Sequence, residues 1–248
     1  MRRQFGDVVS GWVVPVRPGP AAIAGRLALL ERLDGAAHAE GLFRAYAASD
    51  AIWGYLPYGP FERAGDYRGW VDGMAAQNDP FFYAIRDRAS GALGGVASFL
   101  RITPQAGSIE VGHINLSVRL QRSACATEAL FLMMQWAFDA GYRRYEWKCD
   151  ALNLPSRRAA ARFGFSYEGL FRQAAIVKGR NRDTAWFAVI DKDWPALRAA
   201  YRQWLDPANF DGAGRQRLSL AALTAPLLGT RDPVLFVAPP VGIAGAGR

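Results

Sequence analysis

Apolar and polar positions along the chain fall into stretches of two different periods. Between residues 81 and 116 the period changes to that of strands. Polar or small-residue breaks at 88–91 (RASG) and 103–107 divide it, which predicts strands at 81–86, 92–102 and 108–116 folded as an antiparallel meander. Ahead of it, 26–33 reads as a first strand. Segments 36–48 and 62–77 carry apolar residues at helical spacing, and a loop dense in aromatics, Gly and Pro (51–61, AIWGYLPYGPF) separates them. Behind it, 127–141 predicts a helix with a broad apolar face of Leu130, Phe131, Met133, Met134, Trp136 and Ala137. A strand at 144–149 follows. With a helix intervening, it is expected to pair with 108–116 in parallel through a right-handed crossover. A short helix at 156–163, strands at 165–169 and 184–191, and a helix at 194–204 complete the pattern. The predicted class is α/β (α+β), with a mixed, mostly antiparallel sheet of about seven strands flanked by helices.

The periodicity fades at both ends. Residues 1–25 hold short apolar runs interrupted by Pro15, Pro18, Pro20 and glycines and read as an arm. Beyond 205 the pattern weakens, and 221–248 is rich in Ala, Pro and Gly with an apolar island at 234–237. The expectation is one domain at 26–205 with a largely loose extension at 206–248.

Composition narrows the class. Of 248 residues, 51% are hydrophobic and 12% aromatic, enough for a packed core. No uninterrupted apolar run approaches the roughly 18 residues of a membrane span. Asp7 and Gly11 break the segment after the initial Met-Arg-Arg, so no signal peptide is expected. Cys125 and Cys149 are too few for a disulfide framework, and a reduced, cytoplasmic protein is the simplest expectation. With His38 and His113 they show no metal-ligand spacing, so no metal is expected. The formal charge of +8 is dispersed along the chain. It suits an acidic ligand, a phosphorylated cofactor or RNA as well as it suits a solvated surface. No nucleic-acid recognition motif accompanies it.

The first chemical candidate is the loop Gln121-Arg122-Ser123-Ala124-Cys125-Ala126, which follows a strand and opens a helix. The first amides of a helix lack intrahelical acceptors, and the helix dipole adds positive charge there, so such a terminus suits a pyrophosphate. Arg119 and Arg122 add charge. The loop continues as Thr127-Glu128-Ala129. Further on stand Asn153-Leu154-Pro155-Ser156, then Gly164-Phe165, then Glu168-Gly169, with Arg172 and Asp183 beyond.

In order and spacing these motifs resemble the GCN5-related N-acetyltransferases, in particular the branch that acetylates ribosomal-protein alanine or serine N-termini. The resemblance covers about 27–205. It implies a splayed central parallel strand pair with acetyl-CoA lying in the splay. Backbone groups of Ile114, Asn115 and Leu116 would meet the pantetheine, amides of the Gln121–Thr127 loop would hold the pyrophosphate, Asn153 would bond the pantetheine arm, and Ser156 would sit near the sulfur. The family usually has Gly where this chain has Ala124, which puts an extra methyl beside the phosphates.

Acetyl transfer to an amine needs a base, oxyanion stabilisation and a proton for the thiolate. Glu110, on the strand before the phosphate loop, is the leading base; its alternative is a strand carboxylate paired with Arg or Lys. His113 is the competing base. Three residues from Glu110, it falls on the opposite sheet face unless a bulge intervenes. Ser156 serves as acid or as helix cap. The tyrosine acid common in the family's second helix is missing from RRAAARFGF, and no glutamate follows Glu168-Gly169 within 172–175. Cys149 lacks an evident activating cation, so covalent catalysis is not expected.

On the acceptor side, Trp53, Tyr55, Tyr58 and Phe61 fall in the loop that closes the mouth in the resembling branch; pinning that loop to the core is their other reading. Asp150, with Glu146 and Asp183, would attract an amine or pair with arginines. The expected acceptor is a small amine, an amino acid or a protein N-terminus. An RNA-linked acceptor fits the charge, and the chain is expected to be a monomer or homodimer. Two other classes stay open: an acyl-CoA sensor of weak activity and a ribosome- or tRNA-associated basic protein.

Overall fold

The region of strand period folds as the meander that its pattern predicts, inside a larger sheet. A computed structural model describes residues 4–235. In chain order the elements are β1 (Ala22–Ala24), β2 (Ala28–Arg32), α1 (Gly35–Tyr46), α2 (Ala64–Ala75), β3 (Phe81–Asp87), β4 (Leu93–Thr103), β5 (Ser108–Leu116), α3 (Ala124–Asp139), β6 (Arg144–Asp150), α4 (Leu154–Arg162), β7 (Ser166–Val177), β8 (Arg180–Ile190), α5 (Trp194–Leu205) and α6 (Leu220–Thr224). The eight strands run in the order β1-β2-β3-β4-β5-β6-β8-β7. Every neighbouring pair is antiparallel except β5–β6, which the α3 crossover makes parallel.

Alternation sorts side chains onto two faces. One carries Tyr83, Ile85, Phe99, Ile109, Val111, Tyr145 and Trp147, and packs on Leu130, Phe131 and Met134 of α3 and Leu197 and Tyr201 of α5. The other carries Phe82, Ala84 and Val96 against Leu42 and Tyr46 of α1 and Tyr67 and Val71 of α2. That second apolar layer stops at β4. On β5 and β6 the same face bears Glu110, Glu146 and Lys148, which are charged yet buried.

Several boundaries differ from the sequence reading. A short strand, β1, lies within the segment read as an arm and adds to the edge of β2. The stretch 16–20 of that segment is tied down by Tyr83 Oη donating to Pro20 O at 3.0 Å and Tyr142 Oη donating to Val16 O at 3.1 Å. The strands expected at 165–169 and 184–191 are the ends of one long hairpin, turned at Lys178-Gly179 with φ of 49° and 73°. Its distal half is exposed and so lacks the alternation that marks a half-buried strand. α3 begins three residues earlier than expected, and α4 begins two earlier, with Asn153 rather than Ser156 as its cap.

The C-terminal extension, expected to be largely loose over 206–248, is anchored at separate points within 207–235, although most residues there are exposed, and residues 236–248 lie outside the described residues. Leu220 is fully buried in the main core. Thr224 Oγ1 donates to Arg162 O at 2.9 Å. Tyr167 N donates to Thr230 O at 3.3 Å along the outer edge of β7. Asp232, fully buried, takes two hydrogen bonds from Arg157 of α4 at 2.6 and 2.7 Å. Isolated long-range polar anchors of this kind leave no periodic trace in a sequence. The last part of the 234–237 island lies outside the described residues.

Candidate active site

β5 and β6 are paired from Ser108–Arg144 to Val111–Trp147, and the pairing ends there although both strands continue. Past Val111 the β6-facing edge of β5 therefore has no partner strand, and the pair opens into a cleft. A second irregularity sits on the other edge of β5. Val96 faces Asn115 and Ser98 faces Gly112, so Ala97 stands opposite both His113 and Ile114. This is a bulge, with His113 at φ 49°. The extra residue turns His113 onto the face of Glu110, against Phe82 and Tyr58. The sequence named both residues and named the bulge as the condition for bringing them together.

Glu110 is buried, with its side chain 3% exposed. Arg101 Nη1 donates to its Oε1 at 2.7 Å, and Lys148 Nζ lies 2.9 Å from its Oε2. Lys148 also pairs with Glu146 at 2.8 Å and lies 3.7 Å above the Trp186 ring. Burial raises the Glu110 carboxyl above its ordinary range, against the opposing pull of Lys148 and Arg101. Burial, aided by Arg101 and Arg182, lowers His113 to about 4, so its imidazole is neutral at pH 7. Its Nδ1 is 3.1 Å from Tyr58 Oη.

Beyond β5 the chain turns through Arg122, which adopts φ 58°, into Ser123, the N-cap of α3. Ser123 Oγ accepts from Ala126 N at 3.0 Å, leaving the Ala124 and Cys125 amides in the first turn with no intrahelical acceptor. Ala124 is itself helical, so the left-handed position that favours glycine falls on Arg122. Gln121 Nε2 closes the loop onto Leu116 O at 3.0 Å. Asn115 O accepts from Tyr46 Oη at 3.0 Å, while Ile114 turns back to the core. Thr127 Oγ1 bonds Ser123 O.

The sequence missed the job of Glu128. Its buried carboxylate accepts from the amides of Arg26, Leu27 and Ala28 at 3.1, 2.5 and 2.7 Å, fastening α3 to the entrance of β2. An acidic residue in a largely apolar helix was the available signal.

Across the cleft, Asn153 Oδ1 accepts from Ser156 N at 3.1 Å at the start of α4. Ser156 Oγ accepts from Trp147 Nε1 at 3.0 Å, so the serine proton remains available to a further acceptor. Burial raises the Cys149 thiol to about 11 and the Cys125 thiol to about 12, values that suit neither as a nucleophile at neutral pH.

The aromatic loop divides into two roles. Trp53 is 4% exposed and set edge-on to Tyr46, Phe61 and Tyr67, which makes it part of the core. Tyr55 is exposed, and its Oη donates to Leu152 O at 3.1 Å, bridging to the β6–α4 turn. Tyr58 lies between Trp70 and His113. Lys178 at the tip of the β7–β8 hairpin donates to Trp53 O at 2.9 Å. Asp150 Oδ1 accepts from Leu152 N at 2.9 Å, which spends that oxygen on its own turn. Among the described residues no helix is long and apolar enough to cross a membrane.

Comparison with known proteins bears on this arrangement. No curated protein matches the chain. A GCN5-related N-acetyltransferase from Brucella melitensis is 44% identical, with 87% of this chain and 99% of that one covered and a TM-score of 0.85. A probable acetyltransferase of the GNAT family from Chromobacterium violaceum is 41% identical over 78% of this chain and 98% of that one, with a TM-score of 0.74. A more distant neighbour, alike in fold, is the Microcin C7 self immunity acetyltransferase MccE in complex with acetyl-CoA and AMP. It is 21% identical over 67% of this chain and 93% of that one, with a TM-score of 0.60. The family described as the acetyltransferase (GNAT) domain matches residues 28–166, more than half of the chain, and with the parted β5–β6 pair it establishes that this chain belongs to the GCN5-related N-acetyltransferases.

Proposed function

We propose that the chain transfers an acetyl group from acetyl-CoA to a primary amine directly, in a ternary complex. The observation that carries this reading is the parting of β5 from β6 after Val111–Trp147, next in the chain to a helix whose first amides are unclaimed. Acetyl-CoA supplies the activated acetyl group. The Ala124 and Cys125 amides and the Arg122 and Arg119 charges suit its pyrophosphate. The unpaired edge of β5 around Ile114 to Leu116 offers backbone groups to its amide-bearing arm.

Glu110 acts as the base. A carboxyl raised by burial is a stronger base than a solvated one, and its two cations stop it from becoming permanently protonated. His113, neutral and on the same face, accepts a proton only when a neighbouring negative charge offsets Arg101 and Arg182, which makes it the second choice. Ser156, whose oxygen already accepts from Trp147, has its O–H free to donate a hydrogen bond that stabilises the leaving thiolate, which takes its proton from water, in place of the family's missing tyrosine. Asn153 keeps that serine in position by capping α4.

The test is thiol release from acetyl-CoA over an amine panel, together with calorimetric titration of acetyl-CoA. Intersecting initial-velocity lines are expected. Parallel lines would exclude the ternary complex, and tight acetyl-CoA binding with no thiol release from any amine would exclude catalysis in favour of a sensor.

A further inference from the structure

The charged groups on the cleft face are not all matched. Arg101 has Glu110, Lys148 has Glu110 and Glu146, and Lys178 has the Trp53 carbonyl. Arg182 is different. Among the described residues its side chain has no hydrogen-bond or ion-pair partner, and its Nε is shut off from water. Guanidinium stays charged, and a buried donor of a charged group left without an acceptor is costly, so native proteins keep few of them.

Its position gives the orphan a meaning. On β8, Thr184 faces Asp150, the last residue of β6, and Trp186 faces Lys148. Lys148 lies over the Trp186 ring, so the alternating series Trp186, Thr184, Arg182 shares the face of Lys148 and Glu110. Arg182 stands two residues past the end of β6, at the mouth of the parted strands. It is close enough for its charge to act on His113. The carboxylates that register brings nearby form no ion pair with it, and each spends its Oδ1 elsewhere. Asp150 holds its own turn, and Asp183, on the opposite face, takes the Gln173 amide at 2.8 Å and Asn181 Nδ2 at 3.0 Å. Glu110 is already neutralised by two cations, so the cleft offers an incoming ligand net positive charge.

We propose that Arg182 binds an anionic group on the acceptor, a carboxylate or a phosphate, so that the acceptor is an amine that also carries an acid group. This rests on the acetyl-transfer reading for the identity of the ligand, and on the unpaired guanidinium for its chemistry. The fork of an arginine matches the two oxygens of either group. The same positive field disfavours an ammonium ion beside it, so the amine enters the cleft as the neutral base that can attack a thioester.

Matched acceptor pairs test it: amino acids against their carboxamides, and aminoalkyl phosphates against the corresponding amino alcohols. The acid-bearing member of at least one pair is expected to have the higher kcat/KM by about tenfold to a hundredfold, the range of a charge-assisted hydrogen bond. Whichever pair shows the preference identifies carboxylate or phosphate. Arg182→Gln should bring that ratio close to one, and Arg182→Lys should keep part of it. Preference for the neutral members, or a preference that survives in R182Q, overturns the proposal.

A second measurement does not depend on turnover. The chain has two histidines, His38 and His113, so its imidazole NMR signals are few. Inorganic phosphate or acetate should move the His113 signals saturably in the wild type and not in R182Q. His38, in α1, serves as control for folding and for bulk salt. An unmoved His113 in the wild type overturns the anion site. If His113 moves while no amine is acetylated, the acetyl-transfer reading fails and the anion site stands.

Discussion

The two sides of the cleft are built differently. The side proposed for the cofactor is nearly continuous in sequence: the free edge of β5, the turn at Arg122 and the first amides of α3 all lie between residues 112 and 127. The side proposed for the acceptor is assembled from Arg101 on β4, His113 on a bulge, Lys148 on β6, Arg182 and Trp186 on β8, and Tyr58 in the loop before α2. The first side works through backbone groups, which any small residue can present. The second works through side-chain charges whose values depend on burial and neighbours. A substitution on the cofactor side should therefore act mostly on binding, and one on the acceptor side on the chemical step or on charge balance.

The strongest test of that contrast is Glu110→Gln. It should lower turnover by about 10²- to 10⁴-fold, the usual contribution of a general base, and leave KM for acetyl-CoA nearly unchanged. A pH–rate profile identical to that of the wild type would remove Glu110 from the chemistry and leave it as a strand carboxylate held by Arg101 and Lys148.

Next in size is Asp232→Ala, which probes what supports the rim that the two sides share. Arg157 holds Asp232 and also donates to Ala151 O at 2.8 Å, in the turn that leads into Asn153. Removing one partner of a buried ion pair costs about 3–5 kcal/mol. Urea unfolding should register that loss, and KM for acetyl-CoA should rise as α4 shifts. A loss below about 1 kcal/mol would show that the C-terminal segment is not held by this pair.

The third test concerns His113. Its pKa falls from the ordinary 6.5 to about 4 in the folded protein, so between those values the unfolded chain binds more protons. Stability should be full above pH 6.5 and decline as the pH falls towards 4, by at most about 3 kcal/mol. His113→Asn, a residue that tolerates positive φ, should flatten that slope. An equally steep slope in the variant would assign the acid sensitivity to other groups.

The smallest effect is expected on the cofactor side. Ser123→Ala removes the N-cap of α3, at about 1 kcal/mol of stability, and should raise KM for acetyl-CoA with little change in turnover at saturation. A fall in saturated turnover as large as that of Glu110→Gln would erase the division between the two sides.

This division also explains what could be read in advance. The loop suited to a phosphate and the parallel crossover are local or nearly local patterns, and each is visible as residue types at fixed spacing; the cap of α4 was expected at Ser156 and lies three residues earlier, at Asn153. The Lys178-Gly179 turn was also present in the sequence. It went unread because the exposed strands beside it do not alternate. Ala124 seemed to break the family pattern. The structure moves the demand for left-handed backbone two residues earlier, to Arg122, where an ordinary residue accepts it. For Trp53 the sequence left two readings, a mouth residue or a pin of the loop to the core, and four aromatic neighbours enclose it in the second.

By itself the sequence determined the order of the main elements from β2 to α5, the meander, the single parallel pair and the loop suited to a pyrophosphate, because hydrophobic period and capping chemistry act over a few residues. Tertiary structure alone decided three things: which charges meet around Glu110, which cation is left without a partner, and that the C-terminal segment closes over α4. These depend on residues far apart in the chain, such as Arg101 with Glu110 and Lys148, or Arg157 with Asp232. No local pattern records such meetings, since the energy that fixes them comes from burial and charge in the folded state.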